Sequence, residues 1–158
     1  MVAEKKPKPF SATQYSMKYL RRQGLTVEKT EQTVRAPDPV IPNKWKTWKR
    51  DLFNFSDIVG VHPEHKGTLY VQTTTTDHQA DRIHKIAGLA VVQLLIKAGN
   101  RIHVHGWGKK GPRGGRKVWQ VTVTEIGFDQ DGLLTTKIVD SETLDEQQHG
   151  LDFEQEEF

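Results

Sequence analysis

Apolar residues recur along this chain in two periods, and the alternation between them outlines the fold. In "SATQYSMKYLRRQG", Ala12, Ser16, Tyr19 and Leu20 fall at i, i+4, i+7 and i+8, with Met17 at the edge of the same face. That spacing predicts a helix, with Ser11 as its N-cap and Gly24 as its stop. Leu25–Val34 mixes β-branched and polar residues and predicts a strand. Three prolines make "APDPVIPN" a loop. "KWKTWKRDLFNF" after it follows neither period. Ile58–Val61 and Thr68–Val71 are apolar or β-branched runs around the turn residues "HPEHKG", which predicts a hairpin. "DHQADRIHKIAGLAVVQLLIKAGN" predicts one long helix, capped by Asp77 and ended by Gly99-Asn100. Its buried stripe is Ile83, Ile86, Ala87, Ala90, Val91, Leu94 and Leu95. "RIHVHGW" and "VWQVTVTEI" predict two further strands, joined by the glycine-rich basic loop "GKKGPRGGRK".

The order helix, strand, strand, strand, helix, strand, strand predicts an α/β domain with a mixed central β-sheet flanked by helices. The domain spans residues 10–139. The basic segment 1–9 and the acidic tail 140–158 have too few apolar residues to pack and are expected to be disordered. A chain of 158 residues is enough for one such domain. The longest apolar stretch, 83–98, is interrupted by His84, Lys85, Gln93 and Lys97, so no membrane span is expected. No apolar segment follows the basic N-terminus, so no signal peptide is visible. The absence of cysteine excludes disulfides, thiolate metal sites and cysteine nucleophiles, and fits a cytoplasmic location.

Charge changes the picture, because the net +3 conceals segregated blocks. Residues 1–50 carry twelve Lys/Arg against four Asp/Glu, and residues 101–117 carry six against none. Residues 118–158 carry one against eleven. This is the pattern of a polyanion-binding body with an acidic tail. Lys44, Lys46, Lys49 and Arg50 interleave with Trp45 and Trp48, pairing cations for phosphate with flat rings for stacking. Lys109, Lys110, Arg113, Arg116 and Lys117 crowd a loop whose glycines let backbone approach a phosphate chain. The alternatives are two tryptophans that anchor a loop and a basic hairpin that only solubilises. His103 and His105, at i and i+2 on a strand, are either a partial zinc site or a polar sheet face. The tail, ending "LDFEQEEF", either competes with DNA for the basic loop and recruits a protein partner, or is a plain solubilising segment.

The hairpin gathers the remaining chemistry. With its turn near His65-Lys66, antiparallel partners have numbers that sum to about 131. Asp57 then faces Thr74, with Gln72 a diagonal neighbour on the same strand face. "SDIVGV" and "LYVQTT", followed by a helix and "RIHVHGW", resemble the PD-(D/E)XK nuclease superfamily over roughly residues 11–126. In that family an Asp starts the second strand, and Glu/Asp-x-Lys ends the third, just before a helix. "RDLFNFSD" and "VQTT" are also similar to small phage and bacterial proteins of this fold, resembling Holliday-junction resolvases, that carry Asp-Leu-Phe-Gly and Val-Gln-x-Thr.

The resemblance implies a restriction-endonuclease-like fold and a Mg²⁺-dependent endonuclease acting on DNA, often as a homodimer. Its catalytic positions map onto Asp57, Gln72 and Thr74, with Asp57 a metal ligand. Gln72 and Thr74 depart from the pattern, one lacking the second carboxylate charge and the other the lysine. Asp51 is the residue expected to add a carboxylate, if its segment folds back. Lys85 is expected to supply the relocated cation from the helix, ahead of Lys66 at the opposite turn. The alternatives are a non-catalytic DNA-binding or assembly factor, of viral or other origin, that retains the fold, and an RNA-binding protein.

Overall fold

A computed structural model describes residues 9–144. Helix α1 (Ala12–Arg22) precedes strands β1 (Thr26–Lys29), β2 (Gln32–Pro37), β3 (Trp45–Arg50), β4 (Ile58–Val61) and β5 (Leu69–Thr75). A 3₁₀ turn (Thr76–His78) leads into α2 (Gln79–Ala87) and α3 (Ala90–Lys97), followed by β6 (Arg101–Lys110), β7 (Val118–Phe128) and β8 (Leu134–Leu144). Six strands form one mixed sheet in the order β1-β4-β5-β6-β7-β8, and β2 pairs with β3 in a separate two-stranded sheet. Only β5 and β6 are parallel, because α2 and α3 carry the chain back across the sheet between them. Among the described residues, no helix is long and apolar enough to cross a membrane.

Each face of the sheet has its own core. Met17, Tyr19 and Leu20 of α1 pack on Ile58, Leu69, Val71, Trp107, Val121 and Val123. Ile86 and Val92 of α2 and α3 pack with Phe55, Ile102, Val104 and Ile126 on the other. The alternation of Ile102 and Val104 with His103, His105 and Trp107 separates the two sets. Burying one such aliphatic or aromatic side chain stabilises by about 1.5–3 kcal/mol, so both helical layers are held firmly. Ser16 is buried on the apolar face of α1 because its hydroxyl accepts from Trp107 Nε1 (2.8 Å) and bonds His105 Nδ1 (2.9 Å).

α1 starts as its sequence predicts, with Ser11 Oγ accepting from the Gln14 amide. Several other expectations need correction. Leu25–Val34 is two strands in two sheets, and β3 is the strand that neither period revealed, since all six of its residues are exposed. The expected long helix is two, parted at Gly88-Leu89. The break resets the phase, so Val92 is fully buried while Leu94 is 64% exposed. Asp77 caps nothing, and Thr73–Thr75 extend β5 up to the 3₁₀ turn that Thr76 begins. Residues 140–144 belong to β8 rather than to a disordered tail. Asp140 accepts a hydrogen bond from the Tyr19 hydroxyl. The disorder expected of 1–9 falls almost wholly outside the described residues, as does that of 145–158.

The topology collects particular segments at one end of the sheet. β5 and β6 both finish there, β4 and β7 both begin there, and β1 leaves there for the β2–β3 hairpin. The hairpin is an insertion with its feet tied together. The Thr30 amide donates to the Asp57 carbonyl (2.9 Å), and the Thr30 hydroxyl donates to the Ser56 carbonyl (2.7 Å). At the opposite end, the Gly67 turn presses against the end of α3, where a Cβ on Gly67 would stand 2.2 Å from the Gly99 carbonyl oxygen.

Candidate functional site

The strand ladder sets the position of Asp57. The β4–β5 register pairs Ile58 with Val71 and Gly60 with Leu69, two residues short of the spacing expected from the turn. Asp57 lies one step beyond the ladder, its amide donating to the Val71 carbonyl (2.8 Å). Its carboxylate therefore meets Gln72 and Thr73 rather than Thr74. Asp57 Oδ2 accepts from Gln72 Nε2 (2.8 Å), the Thr73 amide (2.8 Å) and the Thr73 hydroxyl (3.1 Å). Thr73 Oγ1 is also 3.1 Å from Thr13 Oγ1, which links this carboxylate to α1. Thr74 sits beside Gly106 of β6 and makes none of these bonds. Sequence reasoning missed Thr73 because alternation points it away from Gln72. A carboxylate at the strand end reaches both through the backbone edge.

Asp51 does return to Asp57. The connecting segment reverses in one tight turn, in which Phe53 and Asn54 both take positive φ. Leu52 and Ser56 close it with two backbone hydrogen bonds (3.1 and 2.9 Å). Burial pushes the Asp57 carboxyl up to about 7. The charge of Asp51 and a hydrogen bond between the two carboxyls add to the rise, against the lowering effect of the Thr73 donors. The pair is thus two close carboxylates whose mutual repulsion only a proton or a cation relieves.

Beside the pair lies an open cleft of about 460 Å³ lined by Trp48, Lys49, Arg50, Asp51, Asn54 and Lys85. A smaller hollow shares Arg50 and Asp51. Lys85 projects from the exposed face of α2, which is anchored over the sheet by Gln79. Gln79 Nε2 donates to the Val104 and Thr122 carbonyls (3.3 and 3.0 Å), in space left by Gly106. Asp51, Asp57, Gln72 and Lys85 thus gather at one end of the sheet, while Lys66 lies at the other.

The basic residues divide into two groups at the same end. Lys44, Lys46, Lys49 and Arg50 lie on the β2–β3 hairpin, all exposed. Lys46 is 3.7 Å from Asp38 and Lys49 is 3.4 Å from Glu31. Lys109 and Lys110 end β6, and Arg113, Arg116 and Lys117 complete the tip before β7, again exposed. Lys109 Nζ lies 5.3 Å above the Trp119 ring, which stacks on Phe10.

His103 and His105 are core residues. His103 Nε2 bonds Glu125 (2.9 Å), and burial lowers both imidazoles, His105 to about 3. Both are therefore neutral near pH 7. Among the described residues no three His, Cys, Asp or Glu side chains cluster as a metal site, so the pair finds no third zinc ligand there. Compared with protein-family models, curated proteins and solved structures, the chain matches none of them.

Proposed function

We propose that this chain is a DNA-binding, Mg²⁺-dependent endonuclease of the PD-(D/E)XK type. The observation that carries the reading is the pairing of the Asp51 and Asp57 carboxylates at the end of the β4–β5 hairpin, beside a cleft that Lys85 lines. Further support comes from the element order. A helix and strand lead to a hairpin whose second strand runs into a helix and a parallel strand, the order that the resemblance implies.

The donor set fits a hard divalent cation. Mg²⁺ is commonly held by one or two carboxylates, with waters and substrate phosphate completing its shell, so a third acidic side chain is not required. The three bonds that fix Asp57 all use Oδ2, so they leave Oδ1 available to a cation. Gln72 and Thr73 act as positioning residues that hold this carboxylate at the strand end. When bound, the cation would supply Lewis-acid charge to a phosphodiester. Lys85 would offset negative charge developing on the phosphate oxygens, the part the standard lysine plays and Thr74 cannot. The two basic groups would hold the backbone on either side.

Plasmid nicking and cleavage of branched DNA with Mg²⁺ or Mn²⁺ test this. The parent should cut only with metal, and Asp57→Ala and Asp51→Asn should not cut. Lys85→Ala should lose about 10²–10³-fold, the usual effect of removing one charge-stabilising donor. Gln72 in place of an acid favours a second reading, a non-cleaving DNA-binding protein of the same fold. Binding without cutting in either metal would establish it.

A further inference from the structure

The β2–β3 hairpin presents its two tryptophans differently. Trp45 and Trp48 are three residues apart on one strand and so lie on opposite faces of the ribbon. Trp45 is already covered on one side by the Arg35 guanidinium, 4.9 Å from its ring centroid. Trp48 lines the cleft with Asp51 and Lys85, and is 46% exposed. Among the described residues no cation or ring stacks on it. An open indole at the wall of a polar cleft gives up hydrophobic stabilisation in the free protein, and its opposite partner Val34 is too small to cover it.

We propose that Trp48 is a stacking platform for an unpaired base, and that the substrates of this cleft are DNAs with single-stranded nucleotides beside the reacting phosphate. A base inside a duplex has both faces covered by its neighbours and offers nothing to a ring. A base freed in a flap, fork or junction exposes a π-face, and stacking on an aromatic side chain captures it regardless of sequence. Arg50 shares the Trp48 face of the ribbon and Lys49 lines the same cleft, so cations for the adjoining phosphates flank the ring. The proposal rests on the nuclease reading for where the phosphate sits, and it adds the class of DNA.

The test is binding in chelator, where nothing is cut. Fluorescence anisotropy would compare a labelled oligothymidylate of about 20 nucleotides, longer than a usual single-strand site, with a duplex of equal length and a splayed fork. The parent should prefer single strand and fork. Trp48→Ala should lose about 10- to 100-fold on both, as expected for removing one base–aromatic stack. Duplex binding should be unchanged, and Trp48→Phe should restore most of the loss. A parent that binds duplex as well as single strand overturns the proposal. So does a Trp48→Ala variant that weakens all three DNAs alike or none of them. The strand preference of the parent needs no variant to fold, and a melting curve checks Trp48→Ala. Cutting is read separately through Asp57→Ala with metal. Equal binding of all DNAs with cutting intact removes the stacking role alone, and single-strand preference without cutting removes the chemistry alone.

Discussion

Asp57 is held by three donors on one oxygen, opposed by a second carboxylate nearby, and half-buried. Its carboxyl is raised from the usual carboxylate range to about 7, chiefly by burial. The folded chain therefore keeps a proton that the unfolded chain releases near pH 4. The stability this confers is complete below pH 4 and is lost as pH rises to 7. In chelator, the parent should be less stable at pH 8 than at pH 5 by about 2–4 kcal/mol from this residue. Asp57→Asn should flatten that slope, as urea unfolding at the two pH values would measure. A second residue-scale prediction concerns Gly67, with φ +77° and no room for a Cβ. Gly67→Ala must force two backbones apart and should cost on the order of 3 kcal/mol, read from the same unfolding curves. At this scale much of the candidate site was legible. Asp57, Gln72, Asp51 and Lys85 are named by residue type and motif order. Thr73 was not, because its role depends on a register two residues away from the one the turn suggests.

At the scale of elements, sequence pattern succeeded where one face is buried and failed where none is. α1, β4, β6 and β7 announce themselves because burial imposes a period on them. β3 has six exposed residues, and β8 has one buried residue in eleven, so neither carries a period to read. The division of α2 from α3 was hidden for a different reason. Gly88 is tolerated within a helical pattern, and only packing decides whether the chain turns there. The β2–β3 hairpin pairs with no strand of the main sheet. Joining Glu31 to Asp51 through two glycines should therefore leave the sheet's circular dichroism and melting nearly unchanged. Single-strand binding by anisotropy should fall sharply. Collapse of the fold would show instead that the arm is structural.

Across the whole molecule, charge is arranged by the topology. The hairpin and the β6–β7 tip both leave the end of the sheet that holds Asp57. On the DNA-binding reading, the logarithm of the affinity should fall linearly with the logarithm of salt concentration. Converting Lys109, Lys110, Arg113 and Lys117 to Gln should reduce that slope by about 0.7 for each phosphate of a single strand that is no longer neutralised. Titrating binding against salt for parent and variant gives both slopes. The segregation of charge was legible in the sequence, but its gathering at one end was not, since that depends on which strand ends coincide.

The hairpin leaves and re-enters the sheet at one point, where Thr30 bonds to Ser56 and Asp57. An insertion whose two ends touch can lengthen, shorten or be exchanged without disturbing the ladder that carries it. On the nuclease reading, Asp57, Gln72 and Lys85 belong to the sheet and the helix after it. Trp48, Lys49 and Arg50, which would choose the strand, belong to the arm, whose returning turn carries Asp51. Selectivity would then be largely separable from chemistry in this architecture. On that reading, a change confined to residues 32–50 would redirect the protein to a different nucleic acid and leave Asp51 and Asp57 in the chain.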